Sequence, residues 1–149
     1  MRHATDWRRL KDIAEEKRDR TAQRVAEARR AADAARQKLD MLIGYRRDYD
    51  ARLARSAGDG IDMAKLRGYR TFLANLEQAI GQQADVVTAA EQKLAKAQDA
   101  WRQEQRRVES FRVLDERRAT TLARAAGRSE QKLTDEIATQ SPAMRGGDD

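Results

Sequence analysis

The sequence predicts an all-α fold, a long antiparallel two-helix coiled coil (an α-hairpin), on three observations. Apolar residues recur every 3.5 positions through two long segments, a glycine-containing turn separates these segments, and the single proline is Pro142. Charged residues make up 38% of the chain, whereas an ordinary soluble domain carries about 25%. A chain this polar buries a narrow apolar stripe and no large core, as coiled coils do.

The first helix is predicted over about residues 6–55. With Val25 at position a of a heptad, ten of the fourteen a and d positions in this segment are apolar. These positions are Trp7, Lys11, Ala14, Arg18, Thr21, Val25, Ala28, Ala32, Ala35, Leu39, Leu42, Arg46, Tyr49 and Leu53. Because no proline interrupts the segment and the 3.5-residue period persists, the pattern indicates a left-handed coiled coil.

A turn is predicted over residues 56–62, where Gly58 and Gly60 permit positive φ and Asp62 is placed to cap the next helix. The second helix is predicted over about residues 63–126, and fourteen of its eighteen a and d positions are apolar. They are Leu66, Tyr69, Leu73, Leu76, Ile80, Gln83, Val87, Ala90, Leu94, Ala97, Trp101, Glu104, Val108, Phe111, Asp115, Arg118, Leu122 and Ala125. The short turn makes the two helices antiparallel neighbours.

The predicted coiled coil occupies residues 1–128, and residues 129–149 are predicted to be a frayed helix end and a flexible tail. The apolar pattern weakens beyond Gly127, and the chain ends in a stretch that contains Pro142 and paired glycines. In the favoured register, the numbers of facing a and d residues add to 122, so that Val25 faces Ala97. A register whose numbers add to 115 is the alternative.

The residue inventory offers no catalytic, cofactor-binding or metal-binding site. The chain has no cysteine, His3 is its single histidine, and Gly58-Asp59-Gly60 is not followed by the lysine of a phosphate-binding loop. No apolar run approaches the roughly 18 residues of a membrane span, and the N-terminal segment lacks the apolar core of a secretory signal. These features predict a cytoplasmic binding protein without enzymatic activity.

The net charge of +6 is concentrated towards the two ends of the chain. Residues 1–30 carry ten Lys/Arg and six Asp/Glu, and residues 102–128 carry eight and four. Antiparallel pairing would bring these segments together and add their charges, giving a basic end for an acidic protein surface or a nucleic acid. A solvated face is the alternative. The candidate residues of this basic end are Arg8, Arg9, Lys11, Arg18, Arg102, Arg106 and Arg107.

One flank of the predicted seam is polar and the other is partly apolar. The e positions include Arg36 and Glu91, whereas the g positions include Tyr45 and Phe72. Four of the seven aromatic residues fall near the turn: Tyr45, Tyr49, Tyr69 and Phe72. Exposed aromatic anchors carry much of the binding energy at protein interfaces, so this flank is a candidate partner site. A wider packing stripe, or pairing of two copies, is the alternative.

Characteristic segments lie at fixed distances from the turn. They are Leu10-Lys11-Asp12-Ile13, Tyr45-Arg46-Arg47-Asp48-Tyr49, Leu66-Arg67-Gly68-Tyr69-Arg70-Thr71-Phe72-Leu73-Ala74-Asn75-Leu76 and Ala100-Trp101. With its tyrosine pair and its Tyr-x-x-Phe-Leu-x-x-Leu segment, the sequence resembles the FliJ family of flagellar type III export proteins. The resemblance extends over most of the chain.

The resemblance implies a coiled coil similar to the rotor stalk of rotary ATPases, with several partners. It implies that the end holding both termini enters the ring of a FliI-type export ATPase, and that a surface near the turn binds a FlhA-type export gate protein. Export chaperones are further implied partners, and no nucleic acid is expected. The implied location is the cytoplasmic face of the inner membrane at the flagellar base, reached through these partners.

Carried over by position, the implied gate surface has six members. They are Leu42, Tyr45, Tyr49, Phe72, Leu76 and Ala79. At Lys38 and Gln83 this chain departs from the polar residues expected in the family. Three alternatives remain: the equivalent stalk protein of a virulence type III secretion system, a basic coiled-coil nucleic-acid-binding protein, and a purely structural homodimer.

Overall fold

The computed structural model describes residues 2–144, with side chains described from residue 6 to residue 140. Helix α1 spans Arg2–Gly58 and helix α2 spans Met63–Met144, and the described residues form no strand. The two long helices pack against each other, which confirms the predicted all-α hairpin. The side chain of His3 and residues 145–149 lie outside the described part.

The seam between the helices follows the predicted heptads. Every predicted a and d position of α1, from Trp7 to Leu53, is buried or half-buried, and the same holds in α2 from Leu66 to Asp115 except at Trp101. The most buried apolar residues are Ala14, Ala32, Ala35, Leu76, Val87 and Val108. Most of these are small, so the helices approach closely but bury a narrow stripe.

The turn between the helices contains a single residue with positive φ, Gly60, at 85°. The Asp59 amide N–H donates to the Arg55 carbonyl oxygen at 3.2 Å, so the helical hydrogen-bond pattern of α1 continues through its last turn. Asp62 immediately precedes α2; its carbonyl accepts from the Leu66 N–H at 3.0 Å and its side-chain Oδ1 accepts from the Ala64 N–H at 3.4 Å. Asp62 therefore caps α2, as predicted.

The sequence pattern predicted that the second helix ends near residue 126. Helix α2 instead continues to Met144. Gly127 does not break it, because one glycine in a helix interior costs only about 1 kcal/mol. Residues 128–140 are rich in strong helix formers and contain no proline. The predicted frayed end and tail from residue 129 are therefore corrected to helix through Met144. The first helix is also slightly longer than the predicted 6–55.

Two compact units divide the chain. The terminal unit comprises Met1–Lys11 and Arg106–Asp149, and the turn unit comprises Asp12–Gln105. In the turn unit, the Arg36 Nη2 lies 2.6 Å from the Glu91 Oε1, and the rings of Tyr49 and Tyr69 are in contact. Later residues of α1 thus meet earlier residues of α2, which makes the pairing antiparallel.

Candidate partner-binding surfaces

An aromatic cluster, consisting of Tyr49, Tyr69 and Phe72, occupies the turn unit close to the turn. The Tyr49 ring centroid lies 4.3 Å from that of Phe72 in a tilted arrangement and 6.5 Å from that of Tyr69 in an edge arrangement. The Arg52 guanidinium carbon lies 5.4 Å from the Tyr49 centroid. Tyr49 is half-buried and contacts all three side chains, so it holds Phe72 in place.

The six residues of the predicted gate surface differ in their exposure. Tyr45 is 47% exposed and Phe72 is 41% exposed, so both are accessible to a partner. Leu42, Tyr49 and Ala79 are half-buried. Leu76 is only 7% exposed, because its d position points into the seam. The structure therefore places Leu76 among the residues that support this surface, and not among those that can contact a partner.

Near the predicted gate surface, the exposure of Met41 was not predicted from the sequence, and the burial of Gln83 agrees with its heptad position. Met41 is exposed one helical turn before Tyr45, and it extends the accessible apolar area. It was missed because its heptad position, c, lies outside the seam and its two flanking rows. Gln83, a predicted d position of the seam that also departs from the family pattern, is buried, and its Nε2 donates to the Ala35 carbonyl oxygen at 2.9 Å. Gln83 thus belongs to the seam.

A second cluster lies in the terminal unit around the Asp115 carboxylate. The Trp7 Nε1–H donates to Asp115 Oδ1 at 2.7 Å, and the Lys11 Nζ donates to Asp115 Oδ2 at 2.9 Å. The Trp7 and Phe111 rings meet edge to face, with centroids 5.1 Å apart. The numbers of Trp7 and Asp115 add to 122, the sum of the favoured register.

These contacts lower the pKa of Asp115 below its ordinary value of 3.8. The hydrogen bond from Lys11 is the largest cause, the hydrogen bond from Trp7 is the next, and both favour the ionised carboxylate. A heptad count does not reveal this cluster, because Lys11 and Asp115 appear in it only as polar interruptions. The favoured register pairs Trp7 with Asp115, so it indicates that these two side chains meet.

The predicted basic end divides between the two units. Arg8, Arg9, Arg106 and Arg107 are exposed side chains of the terminal unit. Lys11 belongs to the same unit, but its ammonium is bound to Asp115, so its charge is locally compensated.

Arg18 and Arg102 belong to the turn unit. The Arg18 Nε lies 3.2 Å from Asp19 Oδ1, and the Arg102 Nη1 lies 3.2 Å from Asp99 Oδ1. Both arginines thus form ion pairs within their own helices. In the same unit, a groove on the polar flank exposes Trp101 between arginine side chains, and it is lined by Ala22, Val25, Arg29, Gln98, Trp101 and Arg102.

The family assignment follows from comparison of the whole chain with known proteins. The family model described as "Flagellar FliJ protein" matches residues 7–147, a range that includes both clusters. The chain belongs to the FliJ family. Two curated relatives carry the name flagellar FliJ protein, one from Salmonella typhi and one from Escherichia coli (strain K12). Each is 35% identical over 136 residues, which cover 91% of this chain and 92% of the relative.

A solved structure from Chlamydia trachomatis, described as that of a YscO homolog, has the same fold as this FliJ-family chain. The match has a TM-score of 0.58 and covers 94% of this chain and 95% of the other, with 18% sequence identity. At that identity the likeness shows the shared helical fold alone.

The described residues contain neither a candidate metal site nor a candidate membrane-spanning stretch. Within residues 6–140, no group of three or more His, Cys, Asp or Glu side chains is placed to hold a metal ion. Neither α1 nor α2 contains, among its described residues, a stretch long and apolar enough to cross a membrane. The described part of this FliJ-family chain exposes the aromatic side chains of Tyr45 and Phe72 and the basic side chains of the terminal unit.

Proposed function

We propose that this protein is an adaptor of flagellar type III protein export that binds other export components and catalyses no reaction itself. Membership of the FliJ family supports a role in flagellar type III protein export. The observation that carries the binding role is the exposed pair Tyr45 and Phe72, of which Phe72 packs against the half-buried Tyr49. Large aromatic side chains held in place by packing bind partners at low cost in conformational entropy.

In this proposal, the surface near the turn docks on a FlhA-type export gate protein. Tyr45, Phe72 and Met41 make the contact, since they are the exposed members of this surface. Leu42 and Ala79 lie at its edge, and Leu76 acts only by packing the seam below. The contact is apolar, so binding to the gate protein is expected to depend weakly on salt concentration.

The terminal unit is proposed to bind a FliI-type export ATPase, with the exposed arginines as its contacts. Arg8, Arg9, Arg106 and Arg107 present positive charge on both helices of this unit. Electrostatic complementarity of this kind raises the association rate and weakens in high salt. We also propose that the protein binds export chaperones and that its partners attach it peripherally to the inner membrane. No residues are assigned to these two roles.

The proposal is tested by binding the purified chain to a FlhA-type cytoplasmic domain and to a FliI-type ATPase from one organism. The Tyr45→Ala/Phe72→Ala variant is expected to lose at least tenfold in affinity for the gate domain, because two anchors are removed, and to retain the ATPase. Ile43→Ala is the matched control, since Ile43 is an exposed apolar residue on the polar flank of the same helix.

The reciprocal variant reverses charge at Arg8 and Arg106. It is expected to weaken ATPase binding at low salt and to leave gate binding intact. If the wild-type chain bound neither protein, the proposed function would be wrong. Salt-sensitive binding to a nucleic acid would then favour the basic coiled-coil alternative.

A further inference from the structure

An exposed apolar stripe runs along the C-terminal part of α2. Every residue from Glu116 to Gln140 is exposed, and at the start of this segment Arg118, Ala119 and Leu122 lie beside Trp7 and Arg8 of α1. Leu122, Leu133 and Ile137 are 64%, 61% and 68% exposed. With Ala126 they are spaced alternately by four and seven residues, which keeps them on one face of an α-helix.

The charges beside this stripe change sign along the helix. Residues 117–129 contain four arginines and no acidic residue, whereas residues 130–140 contain three acidic residues and one lysine. Two such helices in parallel would place the basic blocks side by side. Two antiparallel helices would instead place the basic block of each copy against the acidic block of the other.

We propose that residues 116–140 pair with the same segment of a second copy of this chain, as an antiparallel two-helix coiled coil around a two-fold axis. In this arrangement, Leu122 of one copy packs between Leu133 and Ile137 of the other, and each contact occurs twice. The proposal is independent of the proposed function, because it rests on the stripe and the charge blocks alone.

One ion pair makes the arrangement specific. Arg118 and Glu136 lie about five helical turns apart, so they flank the stripe on the same side. A two-fold axis brings like flanks together, which places Arg118 of each copy beside Glu136 of the other. Arg124 lies on the opposite face of α2, away from the stripe, and provides a control of the same charge.

The first test is sedimentation equilibrium of the full-length chain from about 10 μM to about 1 mM, a range suited to a weak dimer. The weight-average mass is expected to rise from that of a monomer towards twice that value. Leu133→Ala/Ile137→Ala is expected to keep the monomer mass throughout. These side chains are exposed, so helicity measured by circular dichroism should be retained. A wild-type mass that stays monomeric at all concentrations overturns the proposal.

Charge reversal tests the antiparallel arrangement. Arg118→Glu and Glu136→Arg are each expected to weaken self-association about tenfold, and the double variant to recover most of the loss. Arg124→Glu should have little effect. If the double variant associates more weakly than either single variant, Arg118 and Glu136 do not pair and the arrangement is wrong.

Cross-linking distinguishes the two helix directions, because the chain contains no cysteine of its own. Ser129→Cys lies close to the expected two-fold axis and should form an intermolecular disulfide on mild oxidation. Gln140→Cys lies on the same stripe but far from the axis, so it should not. Equal cross-linking at both positions would indicate a parallel pair and overturn the proposal.

Discussion

The indole nitrogen of Trp7 donates a hydrogen bond to the carboxylate of Asp115 across the two helices at 2.7 Å. The two residues are 108 positions apart in the chain, and Lys11 binds the second oxygen of the same carboxylate. One acidic side chain in the seam therefore joins the start of α1 to α2. Apolar packing alone would not fix this alignment as strictly, since a polar contact in a coiled coil penalises other registers.

Asp115→Asn is expected to lower the thermal stability of the terminal unit at pH 7, because it removes the charge that Lys11 binds. The lowered pKa of Asp115 means that its contribution is present above 3.8, the ordinary value, and is lost as the pH falls through the folded-state pKa. The stability difference between wild type and variant should therefore shrink in acid below that value.

The measurement is the fluorescence of Trp7 during thermal unfolding, in a Trp101→Phe background so that a single tryptophan reports. Asp19→Asn is the control, since Asp19 is an exposed residue paired with a neighbour on its own helix. A difference between wild type and Asp115→Asn that stays constant down to about pH 2 would contradict the assigned cause.

Gln83→Leu is expected to leave stability unchanged or to raise it by up to about 1 kcal/mol, while loosening the register. The Ala35 carbonyl that Gln83 contacts lies inside helix α1, so losing the Gln83 amide leaves that oxygen with its helical partner. Gln83→Ala should instead destabilise the chain by about 1–2 kcal/mol through the cavity it leaves. Urea unfolding measures both.

The register is monitored by an Ala35→Cys/Val87→Cys pair, whose numbers add to 122 and whose native residues are buried. Cross-linking should be fast with Gln83 present and less complete in the Gln83→Leu background. Identical cross-linking in both backgrounds would show that Gln83 does not select the register.

Tyr49→Ala is expected to destabilise the turn unit by about 1–3 kcal/mol, because Tyr49 is half-buried and touches two aromatic rings. Tyr45→Ala should change stability by no more than about 0.5 kcal/mol, since Tyr45 is exposed. Chemical unfolding of the two variants distinguishes a residue that stabilises the fold, Tyr49, from one that is free to contact a partner, Tyr45. Equal destabilisation by both substitutions would mean that Tyr45 is a packing residue.

The ion pair between Arg36 and Glu91 is expected to contribute less than about 1 kcal/mol, although its atoms approach to 2.6 Å. Both side chains are about half exposed, so water and salt screen their attraction. A double-mutant cycle with Arg36→Ala and Glu91→Ala, measured in low and high salt, gives the coupling energy. A coupling that is large and independent of salt would contradict this expectation.

The fold was predictable because the chain repeats one physical pattern. Apolar residues at a and d positions can be buried only by another helix with the same period, and Gly60 and Asp62 mark where the chain reverses. The end of α2 was not predictable in the same way. The last turns of α2 have no residues in the seam with α1, so local helix propensity determines whether they are helical. The prediction of an earlier end rested on the weakening apolar pattern and gave this propensity too little weight.

The candidate surfaces were predictable only in part, for a related reason. Heptad positions identify which side chains flank a seam, which led to Tyr45 and Phe72. Leu76 entered the implied gate surface by its position in the family resemblance, although its d position places it in the seam, where it is buried. Heptad positions also treat polar seam residues as interruptions, which hid the Asp115 cluster and the inward-facing amide of Gln83.

The most direct test of the central claim is flagellar protein export in cells that lack their own copy of this protein. Wild type and Ile43→Ala are expected to restore secretion of flagellar subunits and swimming. Tyr45→Ala/Phe72→Ala should restore neither, although it accumulates as a helical protein. If the double variant supported export as well as wild type does, the exposed aromatic surface would not be the site on which export depends.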